Sequence, residues 1–250
     1  MKIYAHRGAS GYAPENTMPA FKLADELKAD GIELDVQLSA DGEIIVFHDN
    51  TMQRTARFVK TGEPVTGAVS DYTLEEIRGM EAGSWLEEKW QGTPVPTLRE
   101  VLEWMQGNNI CINIEIKTSS ATYKPELVTK TIELVYEYGM AERTLFSSFH
   151  HSVLNQCRAL APQIPCGILY SCVFHKAEEY AGIVEAQALH PYHPSISAEA
   201  VAAAQAKGII VNAWTPNSEE QIKSCFEKKV DGVITNFPDR ARELWEAENK

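Results

Sequence analysis

Cysteine is scarce in this 250-residue chain, and its cysteines follow no pattern. The five cysteines are Cys111, Cys157, Cys166, Cys172 and Cys225. Their number is odd and none forms a C-x-x-C pair, which indicates buried thiols in a reducing compartment rather than a disulfide framework. Long apolar runs are missing as well, so neither a signal segment nor a membrane span is expected. We therefore expect a cytoplasmic protein.

Positive charge is also in short supply. The chain has 23 lysines and arginines against 35 aspartates and glutamates, for a formal net charge of −12. The summed field of such a protein repels the phosphates of nucleic acids and anionic lipid surfaces. We expect no nucleic-acid partner and no stable membrane association. A small anionic substrate stays compatible with this charge if a metal ion or a few basic groups reverse the sign locally.

Short apolar runs rich in β-formers alternate with longer segments of helical period, which is typical of a parallel sheet built from βα units. Strands are predicted at residues 2–6, 31–35, 111–117, 144–148, 166–170, 188–190, 209–214 and 232–236. Helices are predicted at residues 17–29, 98–106, 125–138, 152–160, 176–185, 198–207, 218–228 and 239–247. Eight such units predict an α/β fold of the (β/α)8 TIM-barrel type.

One connection breaks this spacing. The segment between Asp35 and Thr97 is about ten times longer than the usual loop of two to six residues. Connections of that length in barrels are usually functional. We interpret residues 36–96 as a hairpin and a small insertion after strand 2, at the barrel mouth, within a single domain that spans residues 1–250.

The start of this segment has the pattern of a β-hairpin. Asp41-Gly42 is favoured in a two-residue type I′ turn, since both central residues of that turn take a positive φ. The predicted pairs are Leu38 with Ile45, Val36 with Phe47, and Asp35 with His48. In this register one face of the hairpin is apolar, and His48 lies on the other face with Asp35 and Glu33.

Charged and aromatic side chains stand where the predicted strands end. In a barrel these ends meet at one mouth, where enzymes of this fold keep their chemistry. The residues in question are His6, Arg7, Glu33, Asp35, His48, Glu115, Lys117 and Trp214. Buried charges are costly unless they are paired or bind a metal, so their concentration at strand ends favours a functional site.

The residue types at this mouth suit phosphoryl transfer. Glu33, Asp35 and Glu115 form a hard oxygen-donor set that suits Mg²⁺ or Ca²⁺ better than Zn²⁺. Arg7 and Lys117 are suited to an anion, and two histidines could take and give a proton. Positioning and charge stabilisation of this kind carry most of the catalysis of phosphoryl transfer.

Short motifs along the chain carry a resemblance to a known protein family. The motifs that carry it are His6-Arg7-Gly8, PENT at 14–17, ELDV at 33–36, Asp41-Gly42, FHD at 47–49, AGSW at 82–85, PTL at 96–98, NIEIK at 113–117 and NAWT at 212–215. In this order, from Ala5 to Pro238, they closely resemble the glycerophosphodiester phosphodiesterase family. The short insertion resembles the cytoplasmic bacterial type.

The resemblance implies a barrel enzyme that hydrolyses glycerophosphodiesters, such as glycerophosphocholine and glycerophosphoethanolamine, to sn-glycerol 3-phosphate and an alcohol. It implies one divalent cation, Mg²⁺ or Ca²⁺. The roles that it implies are metal ligand for Glu33, Asp35 and Glu115, acid–base pair for His6 and His48, phosphate contact for Arg7 and Lys117, and a place near the glycerol moiety for Trp214. His6 is expected to be the base and His48 the acid, while Asp49 is assigned no role.

Several alternatives stay open from sequence. A lyase-type relative would end at a cyclic phosphate, and a non-catalytic barrel would bind glycerophosphodiesters without turnover. Glu115 and Lys117 could form an internal ion pair. Glu15 and Asn16 are expected to cap the helix that begins near Thr17, with a supporting role beside the metal ligands as the alternative. The sequence does not decide between the two metals, or between a monomer and a homodimer.

Overall fold

The structure is a computed structural model that describes residues 1–118 and 124–249. Its strands are β1 (Lys2–His6), β2 (Gly31–Leu38), β3 (Ile44–Val46), β4 (Arg57–Phe58), β5 (Met80–Glu81), β6 (Cys111–Ile116), β7 (Thr144–Ser148), β8 (Cys166–Tyr170), β9 (Ala188–Pro191), β10 (Ile210–Trp214) and β11 (Gly232–Thr235). Its helices are α1 (Met18–Glu26), α2 (Leu74–Ile77), α3 (Leu98–Met105), α4 (Pro125–Glu137), α5 (His151–Leu160), α6 (Ala177–Val184), α7 (Ala198–Gln205), α8 (Glu219–Glu227) and α9 (Pro238–Glu248).

The strands form a closed parallel barrel. The order around it is β1-β11-β10-β9-β8-β7-β6-β2, and the pairing of β1 with β2 closes the circle. Every neighbouring pair in this circle is parallel. This confirms the predicted (β/α)8 barrel, in which all eight strand ends point to one mouth.

The helices begin where the sequence signals them. The side chains of Thr97 and Ser218 accept hydrogen bonds from the backbone N–H groups of Glu100 and Gln221, and each forms a capping box. A cap of this kind satisfies N–H groups that the first helical turn leaves without partners. In α3 the leucine, valine and methionine side chains face the barrel and are fully buried, which fixes this helix against the sheet.

The insertion has an apolar core of its own. Strands β4 and β5 form a separate two-stranded antiparallel sheet. The buried residues that pack together there are Ile45, Phe47, Met52, Ala56, Val65, Val69, Ile77, Met80, Ala82 and Val95. A second, larger cluster fills the barrel and the layer between strands and helices. That both belong to one domain of residues 1–250 stays a prediction.

The hairpin exists, but its predicted turn is wrong. The N–H of Ser39 donates to the carbonyl of Glu43 at 2.9 Å, so three residues, Ala40 to Gly42, form the loop. Gly42 has a φ of +85°. This is the three-residue hairpin loop, a turn followed by a residue in the left-handed region, rather than the type I′ turn.

The extra loop residue moves the register by one position. The observed pairs are Val36 with Val46, Gln37 with Ile45, and Leu38 with Ile44. Asp35 is therefore opposite Phe47, whose N–H donates to the Asp35 carbonyl at 3.0 Å, and not opposite His48. Ile44 and Val46 pack into the barrel core, while Ile45 and Phe47 pack into the core of the insertion.

All five cysteines are free thiols. Cys157, Cys166 and Cys225 are buried as predicted, but Cys111 is half-buried and Cys172 is exposed. Within residues 1–118 and 124–249, no helix is both long enough and apolar enough to cross a bilayer.

Candidate active site

Three carboxylates meet at the barrel mouth. Glu33 and Asp35 project from the same face of β2, and β6 pairs with β2 so that Glu115 is next to Asp35. One carboxylate oxygen from each of the three lies within 4.8 Å of the others. Glu33, Asp35 and Glu115 are 4%, 0% and 8% exposed. The structure thus brings together the three predicted metal ligands.

Two cations lie against these carboxylates. The Lys117 Nζ atom is 2.7 Å from Glu115 Oε1 and 3.4 Å from Asp35 Oδ1. The Arg7 Nε atom is 3.5 Å from Asp35 Oδ2. The alternative of an internal ion pair between Lys117 and Glu115 is therefore realised, but inside a larger cluster that includes Asp35.

The charges of this cluster are unevenly stabilised. Burial would raise the pKa of Asp35, but Lys117 and Arg7 hold it well below its usual range. Burial and repulsion by Asp35 and Glu115 raise the pKa of Glu33 well above its usual range. Burial and the Asp35 charge likewise raise the pKa of Glu115. Two cations are thus too few to stabilise three buried negative charges.

This donor set fits a hard divalent cation. All three groups offer oxygen, and no cysteine or histidine nitrogen belongs to the cluster, which suits Mg²⁺ or Ca²⁺. Among the described residues, Asp35 Oδ1 has no hydrogen-bond partner although it is buried. A buried acceptor of this kind carries a desolvation cost that a bound cation would remove.

A tight turn at the end of β1 delivers Arg7 to the cluster. Arg7 has a φ of +56°, and its backbone N–H donates to Glu33 Oε2 at 2.9 Å. Gly8 follows with a φ of +79°, and a Cβ there would lie 2.6 Å from the carbonyl carbon of Ala20. Only glycine meets both requirements at this position.

His6 is held in one orientation. Its Nδ1 atom is 2.7 Å from Asn236 Oδ1, so Nδ1 carries the proton and Nε2 is left as the acceptor. Burial, helped by the charge of Arg7, lowers the pKa of His6 to about 3. The ring is therefore neutral near pH 7. Asn236 follows the last barrel strand, and the sequence analysis assigned it no role.

His48 reaches the mouth from the insertion side. Its Nδ1 atom is 2.7 Å from Asp49 Oδ1. Burial lowers the pKa of His48, while the carboxylate of Asp35 opposes this shift. His48 thus comes close to the carboxylates as predicted, although the register argument that placed it there is wrong.

An ion-pair network that the sequence analysis missed supports both sides of the site. The Arg54 guanidinium donates hydrogen bonds to the carboxylates of Asp49 and Glu15, both at 2.6 Å. Glu15 in turn accepts from Arg7 at 2.8 Å. Asp49 is next to His48 in the sequence, and that adjacency was the available signal. No signal pointed to Arg54, which lies inside the insertion.

Asn16 also has a role that differs from the expected one. Its Nδ2 atom donates to Asp35 Oδ2 at 2.8 Å. Helix α1 begins after Thr17, and no side-chain hydrogen bond caps it. The interpretation of Glu15 and Asn16 as helix caps is wrong, because both side chains turn toward the mouth.

Glu33, Glu115 and both histidines line a cavity of about 310 Å³. Its opposite wall is apolar and consists of Phe149, Leu169, Trp214 and Ile234. The Trp214 indole is fixed by a hydrogen bond from Nε1 to the His190 carbonyl at 2.8 Å and by an edge contact with Phe149 at 5.5 Å between ring centres. The cavity therefore has a charged side and an aromatic side.

The amino-acid sequence of this chain matches the sequence profile of a known protein family over nearly its whole length. The profile of the glycerophosphoryl diester phosphodiesterase family aligns with residues 6–240. The chain belongs to this family. Membership confirms the predicted family and the predicted enzyme class, a phosphoric diester hydrolase.

Individual relatives agree with this assignment. A glycerophosphodiester phosphodiesterase from Caldanaerobacter subterraneus subspecies tengcongensis is 41% identical over 237 residues, which cover 95% of this chain and 94% of that relative. The structure of a phosphodiesterase from Oleispira antarctica, in complex with the product sn-glycerol-3-phosphate, has a TM-score of 0.90 and 28% identity and covers 98% of this chain and 97% of that one.

A further crystal structure, of a Silicibacter pomeroyi protein named for the same family, has a TM-score of 0.92 and 27% identity. It covers 100% of this chain and 94% of that chain. The family fold thus includes both the barrel and the insertion. The individual roles of the eight mouth residues stay predictions.

Proposed function

We propose that this chain is a metal-dependent hydrolase of glycerophosphodiesters, with sn-glycerol 3-phosphate and an alcohol as products. The observation that carries the proposal is the triad of buried carboxylates, whose ligand oxygens lie within 4.8 Å of one another at the barrel mouth, in a chain of this family. The product bound to the Oleispira antarctica structure is sn-glycerol-3-phosphate, which supports the same product here.

Glu33, Asp35 and Glu115 would hold one divalent cation, Mg²⁺ or Ca²⁺. Such an ion supplies a Lewis acid that neutralises negative charge on phosphoryl oxygens. Arg7 and Lys117 carry the positive charges that lie against the same carboxylates, and we assign them to the phosphate of the substrate. Together with a divalent cation they would place four positive charges against three carboxylates, which would favour an anionic ligand at this point in a protein of net charge −12.

His6 is suited to the role of the base. Asn236 fixes the proton on Nδ1, so Nε2 can accept the proton of the attacking oxygen. The lowered pKa keeps the ring neutral near pH 7. The attacking oxygen forms a bond to phosphorus, and the bond from phosphorus to the alcohol oxygen breaks.

His48 is suited to the role of the acid. The departing alcohol oxygen needs a proton, and the imidazole of His48 faces the same cavity as His6. Asp49 fixes the ring through Nδ1 and, together with Asp35, opposes the lowering of the His48 pKa by burial. In one turnover His6 gains one proton from water and His48 gives one to the alcohol. A proton returned from His6 to His48 through solvent restores the starting state.

Trp214 closes the opposite wall, next to Phe149. We assign it to the carbon face of the glycerol moiety, since an aromatic ring covers C–H groups and leaves the hydroxyls to polar partners. We further propose a cytoplasmic location, supported by five free thiols. A homodimer stays an open prediction from the sequence.

The test is hydrolysis of glycerophosphocholine followed by phosphorus NMR, with and without chelator. We expect release of glycerol 3-phosphate to stop in chelator and to return when Mg²⁺ or Ca²⁺ is added. Glu115→Gln should lose activity by at least about 100-fold while its circular dichroism spectrum is unchanged. Glu43→Gln, at an exposed hairpin position, is the matched control and should keep full activity.

Three outcomes would contradict the proposal. Full activity in chelator would remove the metal from the reaction, and binding without turnover under all divalent ions would favour a non-catalytic barrel. A persistent cyclic phosphate in the same spectra would favour the lyase-type reaction, whereas a transient one is compatible with hydrolysis in which the glycerol 2-hydroxyl attacks first.

A further inference from the structure

A second cavity is linked to the first by one contact, because Lys117 in its lining touches Glu115 in the lining of the first. Its volume is about 190 Å³. The polar side chains that line it are those of Gln37, Asn50, Ser70, Lys117 and Lys124, and Leu38 and Leu127 contribute apolar surface. The proposed function leaves this cavity without an occupant.

This cavity is next to the residues that we assign to the reaction. Lys117 lines it, and the Nζ atom of Lys117 is 2.7 Å from Glu115 Oε1. Asn50 is two positions after His48. The Gln37 Nε2 atom donates to the carbonyls of Phe47 and Asp49, both at 2.9 Å. One wall of the second cavity is therefore fixed directly to the segment that carries His48.

The charged side chains that line the cavity are both lysines. Lys117 is ion-paired with Glu115 and Asp35, Lys124 is exposed, and no carboxylate is among the lining residues in the described part of the chain. Asp41 and Glu126 line a neighbouring cavity, which shares Leu38 and Lys124 with this one. The first cavity differs, because its wall opposite the carboxylates is aromatic and apolar. The two cavities thus differ in polarity, and each suits a different one of the two groups that a phosphodiester joins.

We propose that the second cavity binds the departing alcohol of the substrate, and that it selects a neutral polyhydroxy alcohol, such as glycerol or inositol, over choline or ethanolamine. This inference rests on the proposed function. A phosphodiester has two ester arms, and the arm next to Trp214 is assigned to the retained glycerol. The other arm leaves through the oxygen that His48 protonates, and Asn50, two positions after His48, lines the second cavity.

The lining residues explain the selection. Amide and hydroxyl groups of Gln37, Asn50 and Ser70 can exchange hydrogen bonds with hydroxyl groups of a polyol. A cationic head group would instead lie near Lys124, and like charges repel even where water screens them. No described residue of this cavity offers the carboxylate or the aromatic cage that binds quaternary ammonium groups.

The test compares kcat/KM for two diesters that differ in the charge of the head group, glycerophosphoglycerol and glycerophosphocholine. The wild-type enzyme is expected to prefer glycerophosphoglycerol by at least about 5-fold. Lys124 is exposed, so its substitutions should leave the fold intact. Each unit of charge removed from it should move the ratio toward choline by about 3-fold, so Lys124→Ala should change it about 3-fold and Lys124→Glu about 10-fold.

Lys223→Glu is the matched control, because it makes the same charge change on α8 at a position that lines a different cavity. The ratio of this variant should equal that of the wild type. A wild-type preference for glycerophosphocholine, or a ratio that Lys124→Glu moves by less than 2-fold, would overturn the inference while the proposed function stands. Hydrolysis of neither diester would instead overturn the proposed function.

Discussion

Replacing Glu33 by glutamine should stabilise the metal-free protein against unfolding and lower its enzymatic activity. Glu33 is 4% exposed, and its ligand oxygen lies within 4.8 Å of those of Asp35 and Glu115. Two like charges at that distance repel by about 3.5 kcal/mol at an effective dielectric constant of 20. Arg7 offsets part of this repulsion, through its charge and through the hydrogen bond from its backbone N–H.

A glutamine keeps an oxygen for that N–H group and removes the charge. We expect the free energy of unfolding in chelator to rise by about 2 kcal/mol, which corresponds to about 4–8 °C in Tm for a protein of this size. The assay is thermal unfolding in chelator, followed by circular dichroism. Glu43→Gln, on the exposed side of the hairpin, is the control and should change the free energy of unfolding by less than about 0.5 kcal/mol.

The pH dependence has a definite sign. Burial and like charges raise the folded-state pKa of Glu33, so above the unfolded-state pKa of about 4.3 the folded protein binds more protons than the unfolded chain. The penalty from Glu33 therefore grows as the pH rises above that value. The advantage of Glu33→Gln should shrink as the pH falls from 8 toward 5.

Bound metal should make the wild type more stable than Glu33→Gln, the reverse of the order in chelator. At a metal concentration 100 times its Kd, a single site stabilises the wild type by about 2.7 kcal/mol, and Glu33→Gln should gain much less because it has lost a ligand. A lower Tm for Glu33→Gln than for the wild type in chelator would refute the reasoning, since it would show that the three carboxylates do not repel one another.

Three further predictions concern residues around the triad. Asp49→Asn should lower kcat by about 10- to 100-fold with little change in KM, measured by release of glycerol 3-phosphate, because Asp49 orients His48; an unchanged kcat would contradict this. Asn236→Leu should lower kcat by about 10-fold and move the His6 proton from Nδ1, which nitrogen NMR of the ring detects. Gly8→Ala should lower the free energy of unfolding by more than about 2 kcal/mol in urea titrations, because a Cβ at this position meets the Ala20 backbone and the φ is positive.

The barrel could be predicted from sequence because each βα unit shows a recognisable hydrophobic pattern, a short apolar run followed by a helical period. Buried parallel strands give short apolar runs, and the helices between them give an amphipathic period with capping residues such as Thr97 and Ser218. Strand ends in a closed parallel barrel share one mouth, so Glu33, Asp35 and Glu115 could be placed together without coordinates. The family resemblance supplied their roles.

The hairpin register could not be predicted, and the reason is physical. Register is specified when one face of a strand is apolar and the other polar. Here Ile44, Ile45, Val46 and Phe47 are a continuous apolar run, since one face packs on the barrel and the other on the insertion. Either register buries four apolar side chains. The Asp41-Gly42 pair fits a two-residue and a three-residue loop alike.

The supporting residues were harder to find because their contacts join distant segments. Arg54 lies in the insertion, 39 positions from Glu15, and Asn236 is 230 positions from His6. Contacts at such separations follow from the closure of the barrel and leave no local pattern. Asp49 is the exception, since it stands beside His48.

The most direct test of the account is an anomalous difference map from a crystal soaked in Mn²⁺, a substitute for Mg²⁺ with an anomalous signal. We predict one strong peak within about 2.0–2.6 Å of carboxylate oxygens from Glu33, Asp35 and Glu115. The peak should be absent from crystals of Glu115→Gln under the same soak. A map with no peak between these three side chains, at a Mn²⁺ concentration that supports full activity, would contradict the central claim.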